Sequence, residues 1–354
     1  MKRSRKRIQN LPSNSVDLLA LAEHVERFSS KTIVLLGDFV ADEFQFGDIS
    51  RVSREAPVLI LRHRETQLVP GGGANAANNF AALGARVLPV TVVGQDSAGE
   101  SLLASFRSRR VDVSAIIRLK NWSTPTKTRF VAGWAHTVGQ QVLRVDREPQ
   151  NSLPQEARDK LQRLLLARVP TADALAVSDY GFGIATPDLV SLARSKAKSG
   201  LPITLDARYR LSAYARAGIT SATPNEAELE ALHQTSIGQN VSELARCGTA
   251  TLTAMKLSAL LVTRGRDGMA LFEPHDPFVC IPIHGSNQAV DVTGAGDTVL
   301  AAYTLALASG ASPLESAHIA NIAGGLVVMK RGTATVSREE LLEAIGADIA
   351  GTAG

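Results

Sequence analysis

The chain has 354 residues, 45% of them apolar and 20% charged, a composition that suits a globular protein with one large α/β domain or two small ones. Five basic residues, Lys2, Arg3, Arg5, Lys6 and Arg7, fall in the first seven, and without them the formal charge of +4 becomes −1; the basic character belongs to a tail, read as a solvated start rather than as a contact for nucleic acid or anionic lipid. No apolar run is long enough to span a bilayer, residues 8–14 supply no apolar core for a secretory signal, and Cys247 and Cys280 lie far apart without a CxxC or Cys/His cluster for zinc, so a cytoplasmic protein with no membrane or nucleic-acid partner is expected.

In chain order, Ser15 is a candidate cap for a short amphipathic helix over 16–28, with Leu18, Leu19, Leu21 and Val25 on one side. Residues 31–38 read as a buried parallel strand ending in Gly37-Asp38. Ligands of open α/β sheets bind beyond the carboxyl ends of strands, so Asp38 and Asp42 are placed either to accept hydrogen bonds from hydroxyls or to serve as loop caps. Residues 44–70 alternate Phe44 and Phe46 with polar positions and carry Pro57, which indicates β-structure outside the main sheet, a lid. Pro70-Gly71-Gly72-Gly73-Ala74-Asn75 opens a helix; its glycines allow close approach of a ligand, and Asn75 can both donate to and accept from hydroxyls. A rival reading takes Gly71, Gly73 and Ala76 with Asp96 as a loose dinucleotide fingerprint, but residues 62–67 are not a buried first strand.

Extended segments over 124–130 and 139–146 bring Lys127, Arg129 and Arg144 together, as solvated surface cations or as a phosphate site. From Leu153 strands and helices alternate regularly, with strand ends at Ser178-Asp179-Tyr180-Gly181 and at Asp206, which implies right-handed βαβ crossovers and a parallel sheet covered on both faces. Asn225 is a plausible cap of the helix that follows Pro224. A strand ending at Thr263 turns through Gly265 and Gly268 into residues 269–272, and Cys280 sits in an apolar segment that predicts burial. The tail after Gly346 is expected to fray.

The most informative stretch is Asp291-Val292-Thr293-Gly294-Ala295-Gly296-Asp297-Thr298, a polar loop running into a helical segment that Gly310 stops. Gly294, Ala295 and Gly296 can turn backbone N–H groups outward at a helix N-terminus, which makes an anion hole. A carboxylate in that place either caps the helix electrostatically or is a general base beside the hole, taking a proton while the N–H groups stabilise a transferring phosphoryl group.

This stretch resembles the C-terminal signature of the ribokinase-like sugar kinases, the phosphofructokinase-B family, and Pro70 to Asn75 resembles their N-terminal glycine signature. The resemblance runs from about Ile33 to Leu342. It implies a ribokinase-like three-layer α/β fold with a mostly parallel central sheet, helices on both faces and a small β-sheet lid. The implied layout is a basic tail and helix over 1–30, a kinase domain over 31–346 with lid segments near 44–70 and 124–146, and a flexible tail over 347–354. It implies Asp297 as the base and Gly294, Ala295 and Gly296 as the anion hole. Asn225, Glu226, Ala227, Glu228, Thr263, Gly265, Gly268 and Asn321 would then surround ATP, with Asn225 and Glu228 organising water on magnesium. Asp38, Asp42, Gly72, Gly73 and Asn75 would hold the sugar. A monovalent cation and a homodimer paired through the lid accompany the family pattern.

Residues 48–58, the two basic segments and residues 264–268 are similar to the heptose 7-phosphate kinases of ADP-heptose synthesis. That narrower resemblance implies phosphorylation of D-glycero-β-D-manno-heptose 7-phosphate to the 1,7-bisphosphate, with Lys127, Arg129 and Arg144 on the resident phosphate. At Asp206-Ala207-Arg208 those kinases have Asp-Pro-Lys, so the cation is retained in a bulkier form. There is no Gly-x-x-x-x-Gly-Lys phosphate loop, and no His-x-Gly-His nucleotidyltransferase motif follows. The alternatives are a kinase for another sugar phosphate or a nucleoside, and a non-catalytic sugar-phosphate sensor.

Overall fold

The computed structural model describes residues 16–133, 139–286 and 288–352. The basic cluster of the first seven residues and Ser15 lie outside them. The first helix, α1 (Leu18–Glu26), starts later than the sequence pattern indicates, because the Asp17 carboxylate caps it by accepting from Leu19 N.

Chain order is then β1 (Thr32–Gly37), β2 (Phe39–Val52), β3 (Leu59–Gly72), α2 (Gly73–Ala82), β4 (Arg86–Gly94), α3 (Ser97–Ser108), β5 (Ile116–Leu119), β6 (Thr126–Gly133) and β7 (Gln140–Arg147). The second half continues with α4 (Gln155–Arg168), β8 (Ala174–Asp179), α5 (Pro187–Lys196), β9 (Ile203–Ala207), β10 (Ser221–Ala222), α6 (Glu226–His233), α7 (Val241–Met255) and β11 (Ala259–Thr263). It closes with β12 (Met269–Phe272), β13 (Val279–Ile281), α8 (Ala295–Ala308), α9 (Pro313–Val327) and α10 (Arg338–Thr352).

Among the described residues the main sheet has nine strands in the order β13-β12-β11-β10-β9-β8-β1-β4-β5. It is parallel from β11 to β5, and β12 and β13 add antiparallel at one edge. The alternation of side chains along a strand explains the three layers. On β1, Ile33 and Leu35 enter a core shared with α1, α2, α3, α8, α9 and α10, whereas Val34 and Leu36 enter a second core under α4, α5 and α7. Both sets are fully buried, and each such side chain contributes about 1.5–3 kcal/mol of transfer free energy.

The lid is a separate four-stranded sheet in the order β3-β2-β6-β7. It is larger than the sequence shows: β2 follows β1 after the single residue Asp38, and β3 carries its pairing through to Gly71 and Gly72. Pro57 falls in the turn between β2 and β3, where its missing N–H costs no ladder bond.

Two further expectations are corrected. Where a tail after Gly346 is expected, residues 347–352 are helical, the last turns of α10, and residues 353 and 354 lie outside the described residues. Cys280 is exposed, because the edge strand β13 turns it away from the core. The rival dinucleotide reading fails as well, since Gly71 lies at the end of an antiparallel lid strand rather than following a parallel one, and Asp96 caps α3 through Gly99 N and accepts from Thr124.

Candidate active site

The carboxyl ends of the parallel strands, the N-terminus of α8 and the inner face of the lid enclose two cavities. One, of about 260 Å³, is polar and is lined by Asp42, Gly72, Lys127, Arg129, Tyr180, Asp206, Arg208, Asn225, Glu228, Gly294 and Asp297, among others. The other, of about 170 Å³, is a mostly apolar slot walled by Met269, Ile283, Ala295, Val299, Gly324, Gly325 and Val328, with Gly265, Gly268 and Asn321 at its rim. Thr263, Val292 and Gly296 line both. A flat heterocycle suits the slot and a hydroxylated anion suits the polar cavity, and the helix N-terminus stands where the two meet.

Gly294 makes that junction. Its φ is +78°, a left-handed conformation, and a Cβ there would lie 2.5 Å from Asn75 Nδ2, so only glycine fits. The resulting turn spends the Ala295 N–H on Val292 O at 3.3 Å, while Thr298 N returns to Gly294 O. Among the described residues no protein acceptor receives the N–H of Gly294, Gly296 or Asp297. Gly294, Gly296 and Asp297 therefore keep free N–H donors at this helix N-terminus, whereas Ala295 serves the turn and the slot wall.

Asp297 lies on the first turn of α8, 5% exposed. Asn75 Nδ2 donates to its Oδ2 at 2.7 Å and the Tyr180 hydroxyl to its Oδ1 at 3.3 Å. Burial pushes its carboxyl up to about 7, against the pull of those two donors. The carboxyl thus stands near neutrality beside N–H groups without a protein acceptor, which a proton-transfer role requires.

The other residues marked out by the sequence divide clearly. Asp42 is buried in the cavity wall and pairs with Arg129 at 2.5 Å; Gly71 clears the space, since a Cβ there would lie 2.2 Å from Asp42 Oδ2. Lys127 lies over the Tyr180 ring, and burial lowers its pKa while Asp42 supports the charge. Arg144 is not in the cavity; it is exposed on β7 and paired with Asp146. Asp38 is not in the cavity either. Its fully buried carboxylate accepts from Tyr180 N, Phe182 N and Ile184 N, and so ties the loop after β8 to the junction of β1 and β2. Asn75 is fully buried and serves Asp297, and Gly73 donates its N–H to Asp38 O. Neither Asn75 nor Gly73 lines the cavity.

On the nucleotide side, Asn225 and Glu228 form a reciprocal capping box on α6, and both also line the polar cavity. Glu226 pairs with Arg264 at 2.6 Å, away from both cavities, and Ala227 lines neither. Asn321 reaches the slot, but its amide nitrogen is held by Pro282 O at 2.7 Å.

The sequence reading overlooked Tyr180, Asp206 and Thr223. Tyr180 and Asp206 stand at or just beyond the carboxyl ends of β8 and β9, so the strand-end rule was the available signal. Burial pushes the Asp206 carboxyl far up, with Glu228 and Asp297 adding repulsion, and burial also raises Glu228. The nearby Thr223 hydroxyl is buried without a partner. Carboxyls raised in this way, beside an unsatisfied hydroxyl, fit a hydrated divalent cation between them and a polyphosphate. Glu228→Gln is expected to weaken activity in a way that excess magnesium partly restores, with only about 0.5–1 kcal/mol lost from the capping box. Kinetics over a magnesium series check this; a loss indifferent to magnesium would assign Glu228 to capping alone.

Comparison with known proteins shows the family. The profile of the family described as pfkB family carbohydrate kinase matches residues 32–340. The Bifunctional protein HldE of Mesorhizobium japonicum is 37% identical over 330 residues, covering 91% of this chain and 63% of that protein. The protein of the same name from Caulobacter sp. strain K31 is 40% identical over 328 residues, covering 91% and 64%. The chain thus spans less than two thirds of the length of these relatives. Among solved structures, phosphofructokinase-2 from Escherichia coli in complex with potassium superposes with a TM-score of 0.73 at 20% identity, covering 90% of this chain and 98% of that one. Arabidopsis thaliana ribokinase complexed with ribose and ATP gives 0.69 at 20% identity, covering 89% and 98%. These two share the fold. With its matched profile and its two-cavity site, the chain belongs to the pfkB family of carbohydrate kinases.

Proposed function

We propose that the protein transfers the γ-phosphoryl group of ATP to the anomeric hydroxyl of D-glycero-β-D-manno-heptose 7-phosphate, giving the 1,7-bisphosphate, as a cytoplasmic step of ADP-heptose synthesis. The observation that carries the reading is the polar cavity itself. It gathers Asp297 and the α8 N-terminus with the cations Lys127, Arg129 and Arg208, and the apolar slot adjoins it. A phosphorylated sugar offers a hydroxyl to Asp297 and an anion to these cations, and the resemblance of the lid segments to heptose 7-phosphate kinases supports the choice of sugar.

In this reading ATP lies with its base in the slot and its γ-phosphate at Gly296. The acceptor hydroxyl replaces Tyr180 at Asp297 Oδ1, gives up its proton there as its oxygen bonds to phosphorus, and the bond to the ADP oxygen breaks. The free N–H groups of Gly294, Gly296 and Asp297 hold the charge on the equatorial oxygens. Magnesium, when bound, neutralises phosphate charge, and Asn225 and Glu228, with Asp206 nearby, would hold its water shell. Lys127 and Arg129 hold the resident phosphate. Two copies would pair through the lid, whose edge strands and turn leave Val58, Leu59, Leu143 and Val145 exposed. Turnover in potassium against tetramethylammonium salts tests for a monovalent cation.

The test is kcat/KM across acceptors. Heptose 7-phosphate is expected to exceed free heptose, ribose and adenosine by at least about 10²-fold, because an unphosphorylated sugar gives up the charge-assisted contacts of its phosphate with Lys127 and Arg129. A better rate with ribose, adenosine or fructose 1-phosphate would replace the heptose assignment, and no turnover with any acceptor would favour a sensor.

A further inference from the structure

Beneath Asp297 lies a buried chain of side chains joining α8 to α2, with no direct contact with the acceptor cavity. The Thr298 hydroxyl donates to Asn79 Oδ1 at 2.7 Å. Asn79 Nδ2 donates to Asn75 O at 3.0 Å and lies 3.4 Å from Asn75 Oδ1. Asn75 Nδ2 in turn faces Asp297 Oδ2 at 2.7 Å and Gly294 O at 3.5 Å. Asn75, Asn79 and Thr298 are all fully buried, out of reach of bulk solvent.

The orientation of each amide follows from what it faces. Asn75 O is a backbone carbonyl and can only accept, so Asn79 must turn its nitrogen towards it. That leaves Asn79 Oδ1 facing Thr298, whose hydroxyl supplies the proton. With Asn79 nitrogen on one side and a carboxylate on the other, Asn75 must turn its oxygen to Asn79 and its nitrogen to Asp297. The reversed Asn75 amide would set nitrogen against nitrogen at Asn79 and oxygen against oxygen at Asp297. It becomes favourable only if Asp297 is protonated and Asn79 is absent, since the Asp297 O–H could then donate to Asn75 Oδ1.

We propose that Asn79 and Thr298 are positioning residues: they lock Asn75 with its amide nitrogen on Asp297 Oδ2, which excludes the arrangement that would hold a proton there and leaves Oδ1 as the oxygen that receives the acceptor's proton. The proposal rests on Asp297 as the general base and adds which oxygen acts and what holds the other.

The experiment measures kcat/KM against pH, KM for ATP and thermal unfolding for Asn79→Ala, Thr298→Val, Thr298→Ser and Asp297→Asn beside the parent protein. Asn79→Ala is expected to move the acidic limb of the profile upward by about one pH unit, so that activity falls roughly fivefold at pH 7 and roughly tenfold further down the acid side, with KM for ATP unchanged. Thr298→Val, which leaves Asn79 Oδ1 unpaired, is expected to move it in the same direction by less, and Thr298→Ser, which keeps the hydroxyl, to restore it. A merely structural role would lower the unfolding temperature and leave the limb in place. If Asp297→Asn is inactive and the limb stays in place in both Asn79→Ala and Thr298→Val, the lock is wrong while the base stands. If Asn79→Ala does not fold, Thr298→Val against Thr298→Ser decides alone. Near-normal turnover of Asp297→Asn would overturn the base and the lock together.

Discussion

Asp297→Asn is expected to lower kcat by about 10²–10⁴ while leaving ATP binding intact. The substitution preserves shape, and the new amide can still accept from Asn75, but the oxygen that takes the proton is gone. The parent enzyme should show the complementary pH dependence. Burial raises the Asp297 carboxyl to about 7, so it is protonated below that pH and ionised above it. A base must be ionised, so kcat/KM should rise with pH through about 7 and fall tenfold per unit on the acid side, a limb absent from the variant. The same burial penalises the charged form, so removing the charge should raise the unfolding temperature even as activity collapses. Calorimetry and steady-state kinetics on one preparation read both effects. A variant that lost activity and stability together would point to damage at the α8 N-terminus instead.

Arg129→Ala is expected to raise KM for the phosphorylated sugar by about 10–100-fold, the cost of losing a charge-assisted bidentate contact, and to leave KM for ATP nearly unchanged. A second consequence follows from its 2.5 Å pairing with Asp42. Truncating Arg129 strands a buried carboxylate, so stability should fall as well. Lys127→Ala separates the two effects, because among the described residues Lys127 has no ion pair and lies over the Tyr180 ring. It should raise the same KM with little loss of stability. An equal rise in KM for free heptose in either variant would show that these cations do not read the phosphate.

Much of the architecture was legible because it depends on local rules. Alternating strands and helices from Leu153 require a parallel sheet covered on both faces, and Gly294-Ala295-Gly296 before an apolar run requires a turn into a helix. The site was less legible where function depends on which way a side chain faces. Asp38 and Asp42 are equivalent in sequence terms, both acids after the first strand, yet Asp38 is the single residue between β1 and β2 and is buried against three N–H groups, while Asp42, within β2, reaches the cavity. Arg129 and Arg144 stand opposite each other on paired strands, but the outer strand β7 gives Arg144 to Asp146 and solvent. Asn75 was legible as a hydrogen-bonding residue, but its partner Asp297 lies 222 positions away, and only packing of α2 on α8 joins them. Tyr180 escaped notice for the same reason: its hydroxyl acquires meaning only where β8 ends beside α8.

The most direct measurement is phosphorus NMR of the product formed from ATP and D-glycero-β-D-manno-heptose 7-phosphate with magnesium. The site described here predicts ADP together with a sugar carrying its original 7-phosphate and a new phosphate coupled to the anomeric proton. A new phosphate on any other carbon, or ADP formed with the sugar unchanged, would contradict it.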